Sequence, residues 1–198
     1  MPPPLIALSL GYAVGSIPFG LLAARAAHVD LRRTGSGNPG AANALRAGGV
    51  PLAAFVLLLD VLKGAASVLW VARLTTGEAA PALAGVAAVV GHIYPVWLRF
   101  SGGKGVATAA GAFGVLTPMA IAPAAALFVA TVWITRYVSL GSIVATVALA
   151  PLTWAAGASV AVTAAASAVG ALVVFRHRSN IGRLRRGVER RIGQRVGA

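Results

Sequence analysis

"GVATAAGAFGVLTPMAIAPAAALFVATVWIT", residues 105–135, carries no charged residue and contains two prolines, Pro118 and Pro123. A transmembrane helix needs about 20 apolar residues, so this window is too long for one upright crossing and short for two full ones. Whether it crosses once or twice decides the parity of the whole chain. Its surroundings are equally apolar. Of the 198 residues 58% are hydrophobic and 11% charged, and mean hydropathy is +0.84, values that belong to an integral membrane protein.

Four further uncharged or nearly uncharged windows flank it: residues 2–24, 51–72, 79–98 and 137–175. The last holds two helices divided near residues 155–159. The first lacks a basic segment before it and exceeds a signal-peptide core, so it reads as a retained span rather than a cleaved leader. Basic residues cluster at 25–46 (four Arg), at Arg99 with Lys104, at Arg136, and at 176–195 (eight Arg). If the 105–135 window is a pair of short helices bent around its prolines, two crossings separate each cluster from the next. All four then face the cytoplasm, as the positive-inside rule requires. The expected fold is therefore an all-α integral membrane protein of seven transmembrane helices, some short or proline-bent. The N-terminus lies outside and the C-terminus inside, leaving only Arg73 and Glu78 as external charges. The whole chain, 1–198, reads as one membrane-embedded domain with a basic cytoplasmic tail from residue 176.

Seventeen Lys and Arg against four Asp and Glu give a net charge of +13. On a membrane protein that charge suits anionic lipid headgroups and anionic substrates rather than nucleic acid. The absence of cysteine excludes disulfides, thiolate metal sites and a cysteine acyl-enzyme. No cluster of metal ligands stands out, and no cofactor is expected. Asp60 and Lys63, three apart on the second span, share a helical face and can neutralise each other. They suit either a substrate path or a buried pair that orients the helix. His92 reads as a packed histidine.

Three inner-face segments carry more than connection demands. In "RRTGSGNPGAANALRAGG", 32–49, glycines permit an anion nest while Ser36, Asn38, Asn43 and Arg46 supply donors. "GHIYPVWLRFSGGKGVATAAG", 91–111, is no nucleotide loop. The pattern GxxxxGK[ST] would need Gly where Leu98 stands and Ser or Thr where Gly105 stands. Its Gly102, Gly103 and Gly105 around Lys104 could still wrap backbone amides about an oxyanion, ahead of a helix starting at Val106. "RHRSNIGRLRRGVER", 176–190, read as a helix, is basic and amphipathic, and sets His177 and Asn180 together at the mouth of the last span. Ser142, in "YVSLGSI", lies at comparable depth.

Donors from four loops on one membrane face describe a pocket for a polyanion beside lipid tails. That is lipid-phosphate chemistry. A phosphate-ester transporter, the alternative, should place its ionisable residues near the midplane, where only Asp60, Lys63 and His92 qualify. The HxxxxD pair of many glycerolipid acyltransferases is missing, because Arg33, Trp97 and Gly182 stand five residues beyond His28, His92 and His177. Neither a GxSxG elbow nor an HExxH pair is present.

"GSIPFG", "GSGNPGAANALR", "GHIYPVWLRFSGGKGVATAAG", "SLGSI" and "HRSNIGRLRRGVE", in that order from Gly15 to Glu189, resemble the acyl-phosphate:glycerol-3-phosphate acyltransferases of bacterial membranes. The resemblance implies seven helices and a cytoplasmic active site in the cell membrane. It implies acyl transfer from acyl-phosphate, not acyl-CoA or acyl-carrier protein, to the 1-hydroxyl of glycerol 3-phosphate, yielding lysophosphatidic acid and inorganic phosphate. By motif, Ser36 and Arg46, Lys104 within its glycines, Ser142, and His177 with Asn180 become substrate contacts. His177, Lys104 and Ser36 are the candidate catalytic set. A soluble enzyme that makes the labile donor is a conceivable transient partner. The first motif departs from the usual GATN, with Ala42 in place of its Thr.

Overall fold

Prolines and glycines mark most of the breaks between helices. The computed structural model describes residues 2–193, and regular structure among them is entirely helical. Helices α1 (Pro3–Ser16) and α2 (Phe19–Ala26) form one interrupted span. The interruption lies at Ile17 and Pro18, where proline lacks the amide to continue the ladder. Helix α3 (Ala41–Leu74) kinks at Gly49, whose φ of 77° leaves the helical region just before Pro51. Helix α4 (Ala79–Ile93) ends in a 3-10 turn (Val96–Leu98). Helices α5 (Val106–Leu116), α6 (Pro118–Thr135), α7 (Val138–Ala155), α8 (Val160–Arg176) and α9 (Arg178–Arg185) complete the chain.

The deciding window is indeed two helices. They part at Thr117, and Pro118 opens α6 as its first residue, a position where its missing amide costs nothing. Only the first is short. The 11 residues of α5 span about 16 Å at 1.5 Å per residue, half of a bilayer core, while α6 runs 18 residues straight through Pro123. Among the described residues, five helical spans can cross a membrane by length and composition, and a sixth if α8 and α9, bent 56° to each other, are one broken span. A seventh crossing depends on α5. The division between α7 and α8 falls at residues 156–159, as expected. One boundary differs: α3 begins ten residues before the apolar window, so half of the 32–49 segment is helix rather than loop. The run Ala41 to Ala47 consists mostly of good helix formers, and that local preference prevails.

Small residues bring the spans together, as suits helices that gain little by hiding apolar surface from lipid. A Cβ on Gly15 would lie 2.2 Å from the Ala88 carbonyl of α4, and one on Gly111 would lie 1.9 Å from the Val61 carbonyl of α3. Helix α5 is thus clasped against α3, its Phe113 fully buried among Val68, Val89, Val169 and Val173. Met119, Trp133 and Ile134 of α6 are more than three-quarters exposed, as lipid-facing side chains are. A central, half-length α5 ends inside the protein and brings its N-terminus to the face where the polar segments gather.

Candidate active site

The 3-10 turn turns the chain back on α4. Arg99 and Phe100 take left-handed φ values of 50° and 60°, and the chain then runs antiparallel to the helix end it has just left. Gly102 N–H donates to the Ile93 carbonyl at 3.0 Å and Gly103 N–H to the His92 carbonyl at 3.1 Å. Both glycines are obligatory, since a Cβ would lie 2.1 Å from His92 O at Gly102 and 2.1 Å from His92 Nε2 at Gly103. This corrects the expectation that their amides wrap an anion: they cap the orphan carbonyls of α4 instead. Gly105, with φ 87°, caps the start of α5. The first bond of that helix runs from Ala109 N–H to Gly105 O at 2.8 Å. Amides 106–108 therefore have no acceptor within the helix, and Lys104 stands beside them.

Lys104 meets the other end of the chain. Its Nζ donates to Asn180 Oδ1. Asn180 Nδ2 donates to Glu189 Oε1 at 2.6 Å, and the same oxygen accepts from Ser139 Oγ at 2.8 Å. Arg183 Nε lies 2.6 Å from Glu189 Oε2. One buried carboxylate thus joins the start of α7 to α9 and, through Asn180, to Lys104. Burial alone would raise the Glu189 carboxyl, but hydrogen bonds from Asn180, Ser139 and Arg183, with the Arg183 charge, hold it below the ordinary glutamate range. Burial, chiefly, pushes the Lys104 ammonium down to about 8, against the pull of Glu189 and with the push of Arg183, Arg46 and Arg176.

His177 is buried at the bend between α8 and α9. Its Nδ1 lies 2.8 Å from the Val173 carbonyl. A carbonyl only accepts, so Nδ1 carries the proton and the neutral ring keeps its lone pair on Nε2. Arg176 clasps the glycine turn, its guanidinium 3.3 Å from Gly103 O and 5.4 Å from the centre of the Tyr94 ring.

The first loop is held by one residue. Buried Asn43 accepts from Ser36 N–H at 2.8 Å and from Ser36 Oγ at 3.2 Å, and donates to Leu31 O at 3.0 Å and Thr34 O at 3.1 Å. That leaves its amide engaged with the loop. Ser36 itself is exposed between two left-handed glycines, Gly35 and Gly37. Asn38 Oδ1 accepts from Gly40 N–H at 2.9 Å, closing a turn before α3. Ala42 lies on the first turn of α3 with a methyl group only. Arg46, half-buried one turn on, acts on Lys104, while Arg190 Nη1 would come within 3.8 Å of a Cβ at Gly35. Arg32 ties this loop to the next, donating to Gly37 O and Ser101 O.

Lys104, Asn180, His177 and Arg46 therefore converge. Ser142 does not reach this knot: its hydroxyl donates to Val138 O of its own helix at 2.9 Å, and Ser139, one turn nearer the start of α7, makes the contact. Glu189, Ser139, Arg183 and Arg176 were not singled out from the sequence. Glu189 had a signal, as the lone acid in the arginine-rich segment. That segment is not one long helix either. Gly187, at φ 71°, ends it, with Val188 N–H bonded to Arg183 O at 3.0 Å and Gly187 N–H to Leu184 O at 3.0 Å. The chain then docks on the α6–α7 corner, Ile192 N–H reaching Arg136 O at 2.8 Å. Arg195, the last arginine of the tail, lies outside the described residues. Among the described residues no group of three His, Asp or Glu could hold a metal ion.

Residues 5–187 match the family model described as glycerol-3-phosphate acyltransferase. The chain is 44% identical over 187 residues to the glycerol-3-phosphate acyltransferase of Geobacter sulfurreducens, covering 94% of this chain and 96% of the relative. It is 46% identical over 197 residues to that of Sinorhizobium fredii, covering 98% and 95%. Two crystal structures of PlsY (YgiH), described as an integral membrane glycerol 3-phosphate acyltransferase, share its fold. The glycerol 3-phosphate form gives a TM-score of 0.91 at 40% identity, covering 96% of each chain. The lysophosphatidic acid form gives 0.89 at 39%, covering 96% of this chain and 95% of that one.

Proposed function

The chain belongs to the glycerol-3-phosphate acyltransferase family, and we propose that it moves an acyl group from acyl-phosphate to the 1-hydroxyl of glycerol 3-phosphate. The products are lysophosphatidic acid and inorganic phosphate, and the reaction takes place in one membrane-embedded domain on the cytoplasmic face of a bacterial cell membrane. The observation that carries the reading is the convergence of Lys104, Asn180, His177 and Arg46 at the N-terminus of α5. Arg176, Arg183 and Arg190 surround them, with Glu189 as the single acid in the knot. Two phosphate-bearing substrates need such an excess of cations and donors. The distribution of arginine along the chain supports the sidedness.

Because the Gly102 and Gly103 amides are engaged, the donor's phosphoryl group falls to the first-turn amides of α5. Lys104, Arg46, Ser36 and Asn180 then orient glycerol 3-phosphate, lowering the entropic barrier to attack. Asn43, Asn38, Gly102, Gly103 and Gly105 act by shaping the two loops. Ser142 stands behind Ser139 on the same face of α7. The hydroxyl oxygen attacks the acyl carbonyl carbon, and the bond from that carbon to the phosphate oxygen breaks. Phosphate leaves as its developing charge is met by the cations. A mixed anhydride has a good leaving group, so the hydroxyl proton can pass to a substrate phosphate while His177 Nε2 orients the hydroxyl. Turnover of His177→Asn that keeps the wild-type pH profile places the proton on phosphate; a lost acidic limb places it on His177.

The deciding experiment gives purified, lipid-reconstituted protein glycerol 3-phosphate with acyl-phosphate or with acyl-CoA. Lysophosphatidic acid is expected from acyl-phosphate alone. No product from acyl-phosphate overturns the reading, and uptake of glycerol 3-phosphate into sealed vesicles without acylation replaces it with transport. A soluble donor-making enzyme that docks on the basic face would shorten the labile donor's path.

A further inference from the structure

Three ionisable side chains lie inside the spans, outside the reaction just described. Asp60, Lys63 and His92 are each at most 9% exposed. Lys63 Nζ lies 2.8 Å from Asp60 Oδ1, and His92 Nδ1 lies 3.5 Å from the same oxygen. Lys63 Nζ also donates to the Ile17 carbonyl at 3.0 Å, in the break between α1 and α2, and sits 5.9 Å from the centre of the Phe19 ring. At its other end the cluster abuts the glycine turn. The three atoms nearest a Cβ on Gly103 all belong to the His92 ring, Nε2 at 2.1 Å, Cε1 at 2.8 Å and Cδ2 at 3.0 Å. Gly103 and Gly102 also line one shallow depression together with Asp60, Lys63, His92, Pro18 and Phe19.

Stability alone does not account for such a cluster. A buried ion pair loses as much in desolvation as it gains, and apolar residues of the same volume commonly do as well. What ions and a ring add is connection. Together these contacts link three separate elements: the α1–α2 break, the middle of α3 and the end of α4. The next residue after the supported glycine is Lys104.

We propose that Asp60, Lys63 and His92 form one positioning unit for the acyl transfer, seating the glycine turn on the His92 ring and so setting where Lys104 meets the substrate phosphate. The unit touches no reacting atom; it acts through Gly103. This rests on the reading that Lys104 holds substrate phosphate.

Two variants divide the unit. His92→Ala removes the ring and leaves the ion pair. Asp60→Asn/Lys63→Met removes both charges at once, so that neither is left buried alone, and leaves the ring. Each is measured in the full chain, reconstituted in lipid, with glycerol 3-phosphate and acyl-phosphate, after a melting curve shows that it is folded. In any variant that folds, we expect KM for glycerol 3-phosphate to rise about tenfold, the equivalent of about 1.4 kcal/mol, with kcat changed much less. The alkaline limb of the pH profile should move upward as Lys104 gains water. The groups that act on that ammonium, Glu189, Arg183, Arg46, Arg176 and His177, stay unaltered. A third measurement needs neither variant alone. Gly103→Ala drives a methyl group into the ring, and Gly103→Ala/His92→Ala should be less impaired in KM than Gly103→Ala, a non-additivity expected of residues in contact.

A wild-type KM and alkaline limb in either folded variant, or no recovery in the glycine double variant, overturns the proposal. Lys104→Met separates the two levels. If it leaves KM unchanged, the reading of Lys104 fails; if it raises KM while the unit's variants do not, only the positioning unit fails.

Discussion

The first loop and the α8–α9 corner present side chains to the same site by opposite means. Ser36 is held by Asn43, a neutral amide whose partners all lie within residues 31–36. Lys104 is held by a charged knot whose members, Lys104, Ser139, Asn180, Arg183 and Glu189, come from segments up to 85 residues apart, with His177 beside it bonded to Val173 O. The bonds that Asn43 makes are local and uncharged. The corner is long-range and ionic, and its key ammonium titrates near pH 8. A loop of the first kind only has to fold; a corner of the second kind has to be assembled, and its charges must be present when substrate arrives.

The sharpest test of that contrast is Lys104→Met, which removes a charge-assisted contact to phosphate; about 100-fold loss of kcat/KM is expected in a steady-state assay. Glu189→Gln comes next. It leaves the hydrogen-bond donors but takes away the anion that Arg183 faces, so thermal melting should fall and turnover drop about 30-fold. An unchanged melting point would break the idea that Glu189 joins the corner. Asn43→Ala should act differently, raising KM for glycerol 3-phosphate about tenfold through loss of about 1 kcal/mol or more of loop order, with hydrogen exchange accelerated only in residues 31–40.

The pH dependence separates the regions most directly. Lys104 is charged below about 8 and neutral above it, against an ordinary 10.5, and a bound phosphate favours the charged form. Affinity is therefore complete below pH 8 and is lost as pH rises past it, with KM climbing about tenfold per pH unit. Ser36→Ala and Asn43→Ala should keep that limb, while Lys104→Arg should flatten it. The smallest effects concern α7: Ser139→Ala should lower activity about threefold and Ser142→Ala hardly at all, consistent with one hydrogen bond of about 1 kcal/mol lost at Glu189. Equal effects would place Ser142 at the substrate after all.

Much of this was legible in the residues. The start of α5 at Val106, the break before Val160 and the division of the 105–135 window into two helices follow from apolar length and turn chemistry, which act over a few residues, though which of its two prolines divides it did not. Lys104, Asn180, His177 and Arg46 were visible as donors misplaced in an oily chain. The engagement of Gly102 and Gly103 was not, since an anion cradle and a helix cap ask for the same glycines. Choosing between Ser139 and Ser142 required knowing where Glu189 returns. The length of α3 was missed because a run of alanines reads equally well as linker or helix.

What the amino-acid sequence determined by itself is the solvent of this protein and the punctuation of its helices, because hydropathy, proline and glycine act locally. The tertiary structure alone decided which polar groups meet. Asp60 with His92, Lys104 with Asn180 and Ser139 with Glu189 are paired across helices, and such contacts depend on how glycine-lined spans seat against one another rather than on spacing along the chain.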